Sequence, residues 1–154
     1  SRVTSGNISD INGLIRANGN ANLFIINPAG IIFGESASLD IGGSFYGSSA
    51  SSILFEDAEF SAADLENPPL LTINVPTGLG FQDNAEDVVN RSNFGLTTTI
   101  LDSEINPIFE NPIFEGREFT LQEVRGLEVA SDQTIALIGG NVILENSAGI
   151  TASG

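Results

Sequence analysis

A chain of 154 residues that is 41% hydrophobic is long enough for one domain with a buried core. Its 20 acidic and 5 basic residues give a net charge of −15, which disfavours nucleic acid and anionic membranes as partners. The chain has no histidine, cysteine or lysine, so an imidazole base, a thiol nucleophile and a Schiff-base amine are excluded, and we predict no cofactor and no metal site.

Short runs of Ile, Leu, Val, Phe and Thr recur along the chain and are separated by Gly, Asn, Ser and Asp. This pattern predicts an all-β fold. One short helix is predicted after Asp83, which could cap it with Glu86 three residues on. The predicted strands, in chain order, are 13–15, 23–26, 31–33, 38–41, 45–46, 52–55, 70–75, 119–121, 134–138, 142–144 and 149–151.

A proline interrupts the most apolar part of the chain. The runs 23–26 and 31–33 enclose the sequence Asn27-Pro28-Ala29-Gly30. Proline has no amide hydrogen and cannot lie within a helix or a central strand, whereas it suits the second position of a tight turn that has Asn first and Gly fourth. The segment therefore predicts a strand, a sharp corner and a second strand.

A Gly-Gly pair occurs twice between apolar runs, in LDIGGSF (39–45) and in ALIGGNV (136–142). Gly-Gly suits a two-residue hairpin turn, and it equally suits the corner of a solenoid coil where the backbone conformation requires glycine. The residues alone leave open an antiparallel β-sandwich and a parallel β-helix.

Two acidic, proline-bearing stretches, 56–69 and 102–118, are predicted to leave the regular body of the fold. The second contains a tandem copy of Asn-Pro-Ile-Phe-Glu at 106–115. We interpret the copy as a duplicated surface loop, with a peptide-like binding element as the alternative.

Carboxylate pairs are frequent, but they lie in turn-rich polar stretches where acids are ordinarily solvated. A glycosidase needs two carboxylates about 5–9 Å apart across a sugar ring. The chain also has no tryptophan and one tyrosine to offer a sugar as a platform. We therefore predict no enzyme and no catalytic residue. The pairs are Glu56 with Asp57 and Glu59, Asp64 with Glu66, Asp83 with Glu86 and Asp87, and Asp102 with Glu104.

Residues 14–45 resemble the N-terminal two-partner secretion domain of filamentous-haemagglutinin-type exoproteins. The likeness rests on Asn27-Pro28-Ala29-Gly30-Ile31, on Phe33-Gly34 and on Gly42-Gly43-Ser44-Phe45, and it extends to the closing residues 136–154. Two features depart from the family. Ala29 stands where the family usually has Asn, and an upstream capping region with an earlier Asn-Pro motif is missing from this sequence.

The resemblance implies a right-handed parallel β-helix with extra-helical loops or strands. It implies one secretion domain over 1–154, without its N-terminal cap region and with a family-atypical insertion at 97–128. With about 20 residues per coil we expect about six coils, and Phe24 and Ile26 would point outward under the excursions. The glycines expected at structural corners are Gly34, Gly42, Gly43, Gly139 and Gly140.

The resemblance also implies a function in export. The chain would be the secretion domain of a large exoprotein or adhesin, recognised by a cognate outer-membrane β-barrel transporter with periplasmic receptor modules, and it would template β-helix folding on export. The expected recognition segment is Asn27, Pro28, Ala29, Gly30 and Ile31, with a purely structural buried turn as the alternative.

For the protein as a whole, the resemblance implies a monomer that is secreted or held at the surface of a Gram-negative-type bacterium. Contact with a host or neighbouring cell would be made through regions outside this sequence. The alternative functions are a carbohydrate- or surface-binding β-helix module and a polysaccharide-acting enzyme.

Overall fold

A computed structural model describes residues 1–63, 75–100 and 119–152. All the regular secondary structure in these residues consists of strands, so the described fold is all-β. The described residues contain no helix long and apolar enough to cross a membrane. The strands are β1 (Ser9–Ile11), β2 (Leu14–Ala17), β3 (Leu23–Ile26), β4 (Ile31–Phe33), β5 (Ser38–Ile41), β6 (Phe45–Ser48), β7 (Ser52–Leu54), β8 (Glu59–Ser61), β9 (Gly78–Gly80), β10 (Val88–Asn90), β11 (Phe94–Ile100), β12 (Phe119–Arg125), β13 (Leu127–Val129), β14 (Ile135–Ile138), β15 (Val142–Leu144) and β16 (Ile150–Ala152).

Eleven of these strands wind as a coil with three faces. Face A contains β3, β6 and β14, face B contains β1, β4, β10 and β15, and face C contains the pairs β2–β5 and β13–β16, with β13 lying beside β5. All pairings within these faces are parallel. The prediction of a parallel β-helix is confirmed, and the antiparallel sandwich is wrong for the body of the fold.

Successive coils stack in constant register. Ser9 pairs with Ile31, Leu14 with Ser38, and Leu23 with Phe45, so equivalent positions of coils 1 and 2 lie 22 to 24 residues apart. Coil 1 is β1–β3, coil 2 is β4–β6, coil 3 is β10, β13 and β14, and coil 4 begins with β15 and β16.

One excursion separates coil 2 from coil 3, and a second interrupts coil 3 after its first strand. The first leaves after β6, and its described residues, 49–63 and 75–87, include the antiparallel sheet β8–β7–β9. The second leaves after β10, and its described residues, 91–100 and 119–126, include the antiparallel pair β11–β12. Because the excursions take so much chain out of the coil, the described residues complete three coils and begin a fourth, and the expectation of six coils is wrong.

The second excursion overlaps the predicted insertion 97–128, whose atypical character in the family stays a prediction. The tandem repeat at 106–115 lies outside the described residues.

Inward side chains of all three faces form one apolar core. Ile31, Phe33, Phe45 and Val88 are completely buried, and the rings of Phe33 and Phe45 meet edge to face with centroids 5.9 Å apart. Gly47 faces the same interior, where a Cβ would lie 3.2 Å from the Phe33 ring. The glycine therefore makes room for the ring that fills this layer of the core.

A second apolar cluster covers the outside of face A. Phe24 and Ile26 point away from the core and pack with Ile53, Phe60 and Leu79 of the antiparallel sheet β8–β7–β9. The Phe24 ring also stacks on Tyr46 of the next coil, with centroids 4.4 Å apart. The prediction that an excursion covers these outward residues is confirmed.

The five predicted corner glycines lie between strands of different faces, but none has the positive φ on which the sequence argument relied. They lack a side chain because a neighbouring coil passes too close. A Cβ on Gly34 would lie 2.6 Å from Asn12 Oδ1, one on Gly42 2.5 Å from the Gly19 carbonyl, and one on Gly139 2.9 Å from Ser49 Oγ. Gly43 and Gly140 approach the carbonyls of Ala21 and Ala85 more closely still.

The predicted helix after Asp83 does not form. Residues 83–87 contain no helical turn, because their backbone groups serve the neighbouring coils. Gly140 N donates to Glu86 O at 2.9 Å, and Ile31 N donates to Asp87 O at 3.2 Å. A helix would turn these carbonyls toward its own amides, so tertiary pairing overrides the local capping signal.

The corner geometry predicts that Gly43→Ala lowers stability by at least about 2 kcal/mol, because the new Cβ would collide with backbone rather than with a movable side chain. Gly13→Ala is the matched control, since a Cβ there meets nothing within 4 Å, and it should change stability by less than about 0.5 kcal/mol. Urea unfolding of both variants checks this, and equal stability of the two would contradict the close-approach explanation.

Candidate functional site

The Asn27–Ile31 segment turns the chain from face A to face B between β3 and β4. Gly30 N donates to Asn27 O at 2.9 Å, which closes a four-residue turn with Pro28 at its second position. Gly30 has φ +96°, and a Cβ there would lie 3.0 Å from the Asp87 carbonyl. Pro28 and Gly30 therefore carry the turn geometry that the sequence predicted, and Gly30 needs to be glycine for two separate reasons.

The Asn27 side chain is 1% exposed, and its amide is fully used inside the fold. Nδ2 donates to Asn7 O and to Ser9 Oγ, both at 2.8 Å, and Oδ1 accepts from Ala29 N at 2.9 Å. The backbone N of the same residue donates to Ser48 O of the next coil at 2.9 Å. Asn27 thus ties the corner to the chain that precedes it and to the coil that follows it.

Corners of coils 2, 3 and 4 form a column on this edge of the molecule. The turn 27–30 is followed by residues 85–87 and then by 139–141. Ser49 Oγ donates to Glu86 O at 2.5 Å, and Asp87 Oδ1 accepts from Asn141 N at 3.0 Å and from Asn141 Nδ2 at 2.8 Å. The first excursion is therefore inserted into a corner, and its returning strand is held between the corners on either side.

A cavity of about 210 Å³ lies against the outside of the turn. Pro28 and Ala29 are half-buried and reach it, whereas Asn27, Gly30 and Ile31 are buried. None of the lining side chains is ionisable, so the cavity offers no acid or base. The lining residues are Val3, Thr4, Gly6, Asn27, Pro28, Ala29, Ala62, Ala63 and Gln82.

Ionisable side chains of the described residues do not converge on a site. Glu56, Asp57 and Glu59 are exposed, and residues 1–63, 75–100 and 119–152 hold no group of three or more acidic side chains arranged to bind a metal. The carboxylates at 64, 66, 102 and 104 lie outside the described residues.

Three arginines serve the fold. Arg16 pairs with Asp40 and Arg91 with Glu145, each at 2.6 Å and each between neighbouring coils. Arg2 donates to the Ser61 carbonyl and lies 5.0 Å above the Phe60 ring. These cations are therefore engaged within the domain, and the two exposed ion pairs contribute little to stability.

A family model of the TPS secretion domain matches residues 1–154. The chain belongs to the TPS secretion domain family. No curated protein and no solved structure shows significant similarity to it. Membership confirms the resemblance. It makes the chain part of a two-partner secretion exoprotein, whose partner is an outer-membrane transporter. Such exoproteins cross the outer membrane of Gram-negative bacteria to the cell surface or the medium. The TPS secretion domain family consists of secreted exoprotein domains and is not a known enzyme family.

Sequence reasoning found the turn of this TPS domain but missed what the turn contacts. Asn7, Ser9 and residues 85–87 carry no local signal, since their role depends on which segments become neighbours. Asn12 and Asn22 were missed as well, although each precedes a strand and accepts a backbone N–H from the next coil, from Ser36 at 2.8 Å and from Ser44 at 2.9 Å. The presence of asparagine just before these strands was the sequence feature that could have indicated hydrogen bonds between coils.

Asn27→Ala should destabilise the domain by about 2–3 kcal/mol, because it removes the three hydrogen bonds of a buried side-chain amide. Asn22→Ala is the matched control, since that exposed residue makes one backbone hydrogen bond, and it should cost about 1 kcal/mol or less. Thermal unfolding followed by circular dichroism measures both, and an unchanged melting temperature for Asn27→Ala would contradict the structural role of its amide.

Proposed function

We propose that this TPS domain is the export signal and folding template of a larger exoprotein, with the segment Asn27–Ile31 as the part that the transporter recognises. The observation that supports the template is a column of parallel coils in constant register, in which all strands of faces A and B after coil 1 pair with the equivalent strand of the preceding coil. Folding can then advance coil by coil as the chain emerges. The adhesin assignment follows from the resemblance, and binding to other cells would be carried by regions outside this sequence.

The burial pattern of the turn separates two possible modes of recognition. A transporter that meets the folded corner contacts Pro28 and Ala29 beside the cavity, because the Asn27 amide is already used internally. A transporter that meets the extended chain can read Asn27 as well. The Asn27→Ala variant cannot separate recognition from folding by itself, since its loss of hydrogen bonds affects stability directly.

Ala29→Gln is the more informative variant. Ala29 lines the cavity, so a longer side chain has room there, and we expect the free energy of unfolding to change by less than about 1 kcal/mol. If the transporter recognises this corner, secretion of the exoprotein should fall several-fold. Immunoblots of culture supernatant and cells, paired with melting of the purified domain, measure the two effects.

Ala63→Gln is the matched control for Ala29→Gln, because Ala63 lines the same cavity outside the turn. Full secretion of Ala29→Gln would contradict recognition through the folded corner. If Asn27→Ala then lost stability and secretion together, the segment would be a structural turn only. An effect of Ala63→Gln equal to that of Ala29→Gln would instead indicate that the cavity as a whole is recognised.

The template role is supported by the last coil. Val142 and Leu144 continue the inward column, since they pair in register with the fully buried Val88 and Asn90, yet they are 44% and 54% exposed. Among the described residues β15 pairs only with β10, and β16 only with β13. A further coil stacked here would bury both side chains and complete the open strand edges.

Val142→Asn/Leu144→Asn should impair folding of coils that follow the domain while leaving the domain itself close to its normal melting temperature. The test is a fusion that carries two further β-helical coils after residue 154, digested with protease at increasing concentration. We expect the added coils to lose protection several-fold. Thr151→Asn, a change at an outward position of the same coil, is the control, and undiminished protection of the coils in the double variant would contradict templating.

A further inference from the structure

The outsides of the three faces differ in chemistry. Face A is covered by the antiparallel sheet of the first excursion. Face C carries mainly polar and charged side chains, including the Arg16–Asp40 ion pair, together with one exposed leucine, Leu14. Face B carries one row of aliphatic side chains on its outer surface, formed by Ile32, Val89 and Ile143, which we call the outer stripe.

The outer stripe is aligned across three coils. Ile32 pairs in register with Val89, and Val89 with Ile143, so the three side chains stand side by side on adjacent strands over about 10 Å. All three are half-buried, and none belongs to either apolar cluster of the described residues. Ile8, which is 51% exposed, lies on the same side of the preceding coil.

The margin of the outer stripe is negative. Asp10 occupies the same row on the first coil, opposite Ile32. Glu35 and Glu86 are exposed beyond the two ends of the strands, and within the described part of the chain these three carboxylates form no ion pair. Arg91, the nearby cation after β10, is already paired with Glu145. The surface therefore combines an aliphatic centre with unneutralised acids at its edges.

We propose that the outer stripe is a docking surface for a protein partner that presents aliphatic β-structure flanked by lysine or arginine. Charge decides the type of partner, because a second copy of this chain, at −15, and an anionic membrane would both be repelled. The outer stripe exists only when coils 2 to 4 have folded, so the partner is met after folding. The proposal is therefore independent of transporter recognition at the Asn27–Ile31 corner. The outer stripe consists of three side chains on adjacent strands, which fits a weak contact.

The probe for this surface is a synthetic β-hairpin peptide whose strands alternate valine and lysine, titrated into the protein by calorimetry. The variant Ile32→Thr/Val89→Thr/Ile143→Thr keeps β-branched residues on the strands while removing the aliphatic surface, and it should weaken binding by about tenfold or more. Leu14→Thr removes an aliphatic side chain that is 54% exposed on face C, and it should leave the affinity unchanged.

Charge is tested separately with Asp10→Asn/Glu35→Gln/Glu86→Gln, which should weaken binding and reduce its dependence on salt. A matching hairpin with threonine in place of valine should bind about tenfold more weakly than the valine peptide. Thermal unfolding checks that each variant folds, and Val89→Thr alone replaces the triple variant if that one does not. The proposal is overturned if the valine peptide does not bind, if the stripe variant binds it as tightly as the original protein, or if the threonine peptide binds equally well.

Discussion

Parallel pairing between successive coils is the constraint on which the rest of this structure depends. Equivalent strands of successive coils hydrogen-bond to one another throughout faces A and B, and on face C within the pairs β2–β5 and β13–β16. This pairing fixes which side chains point into the core. The same stacking brings the corners of adjacent coils within contact of one another. Glycine and asparagine at the corners follow from that contact. Glycine leaves room for an approaching atom of the neighbouring coil, and the asparagine Oδ1 accepts a backbone N–H of the next coil.

The excursions are compatible with this constraint because they start and end at corners. The first excursion leaves the coil after β6, and its residues 85–87 return beside Gly30 and Gly140, where the next strand of face B must begin. The register of β10 against β4 is therefore preserved despite the long detour. Long insertions at such positions cost mainly loop-closure entropy, which grows slowly with length. The fold can thus acquire additional surfaces without disturbing the stacked body.

In the Asn27–Ile31 segment, some residues stabilise the fold and others are accessible from outside. Asn27 and Gly30 are buried and serve the backbone, while Pro28 and Ala29 reach the cavity outside. A motif shared by a family can therefore reflect both roles at once. The alanine at 29, where the family usually has asparagine, lies at one of the accessible positions, so this departure leaves the hydrogen bonds of the buried corner in place.

Six of the sixteen strands are absent from the sequence prediction, namely β1, β8, β9, β10, β11 and β13. The sequence by itself determined the other ten strands, the turn at 27–30, the outward direction of Phe24 and Ile26, and the family. These features depend on local backbone preferences and on the two-residue period of a strand, which can be read from adjacent residues. Only the tertiary structure decided the number of coils, the partners of Asn27, the reason for glycine at 43 and 140, and the absence of a helix after Asp83. Each of these depends on which distant segments become neighbours, and that in turn depends on where the two excursions leave the coil.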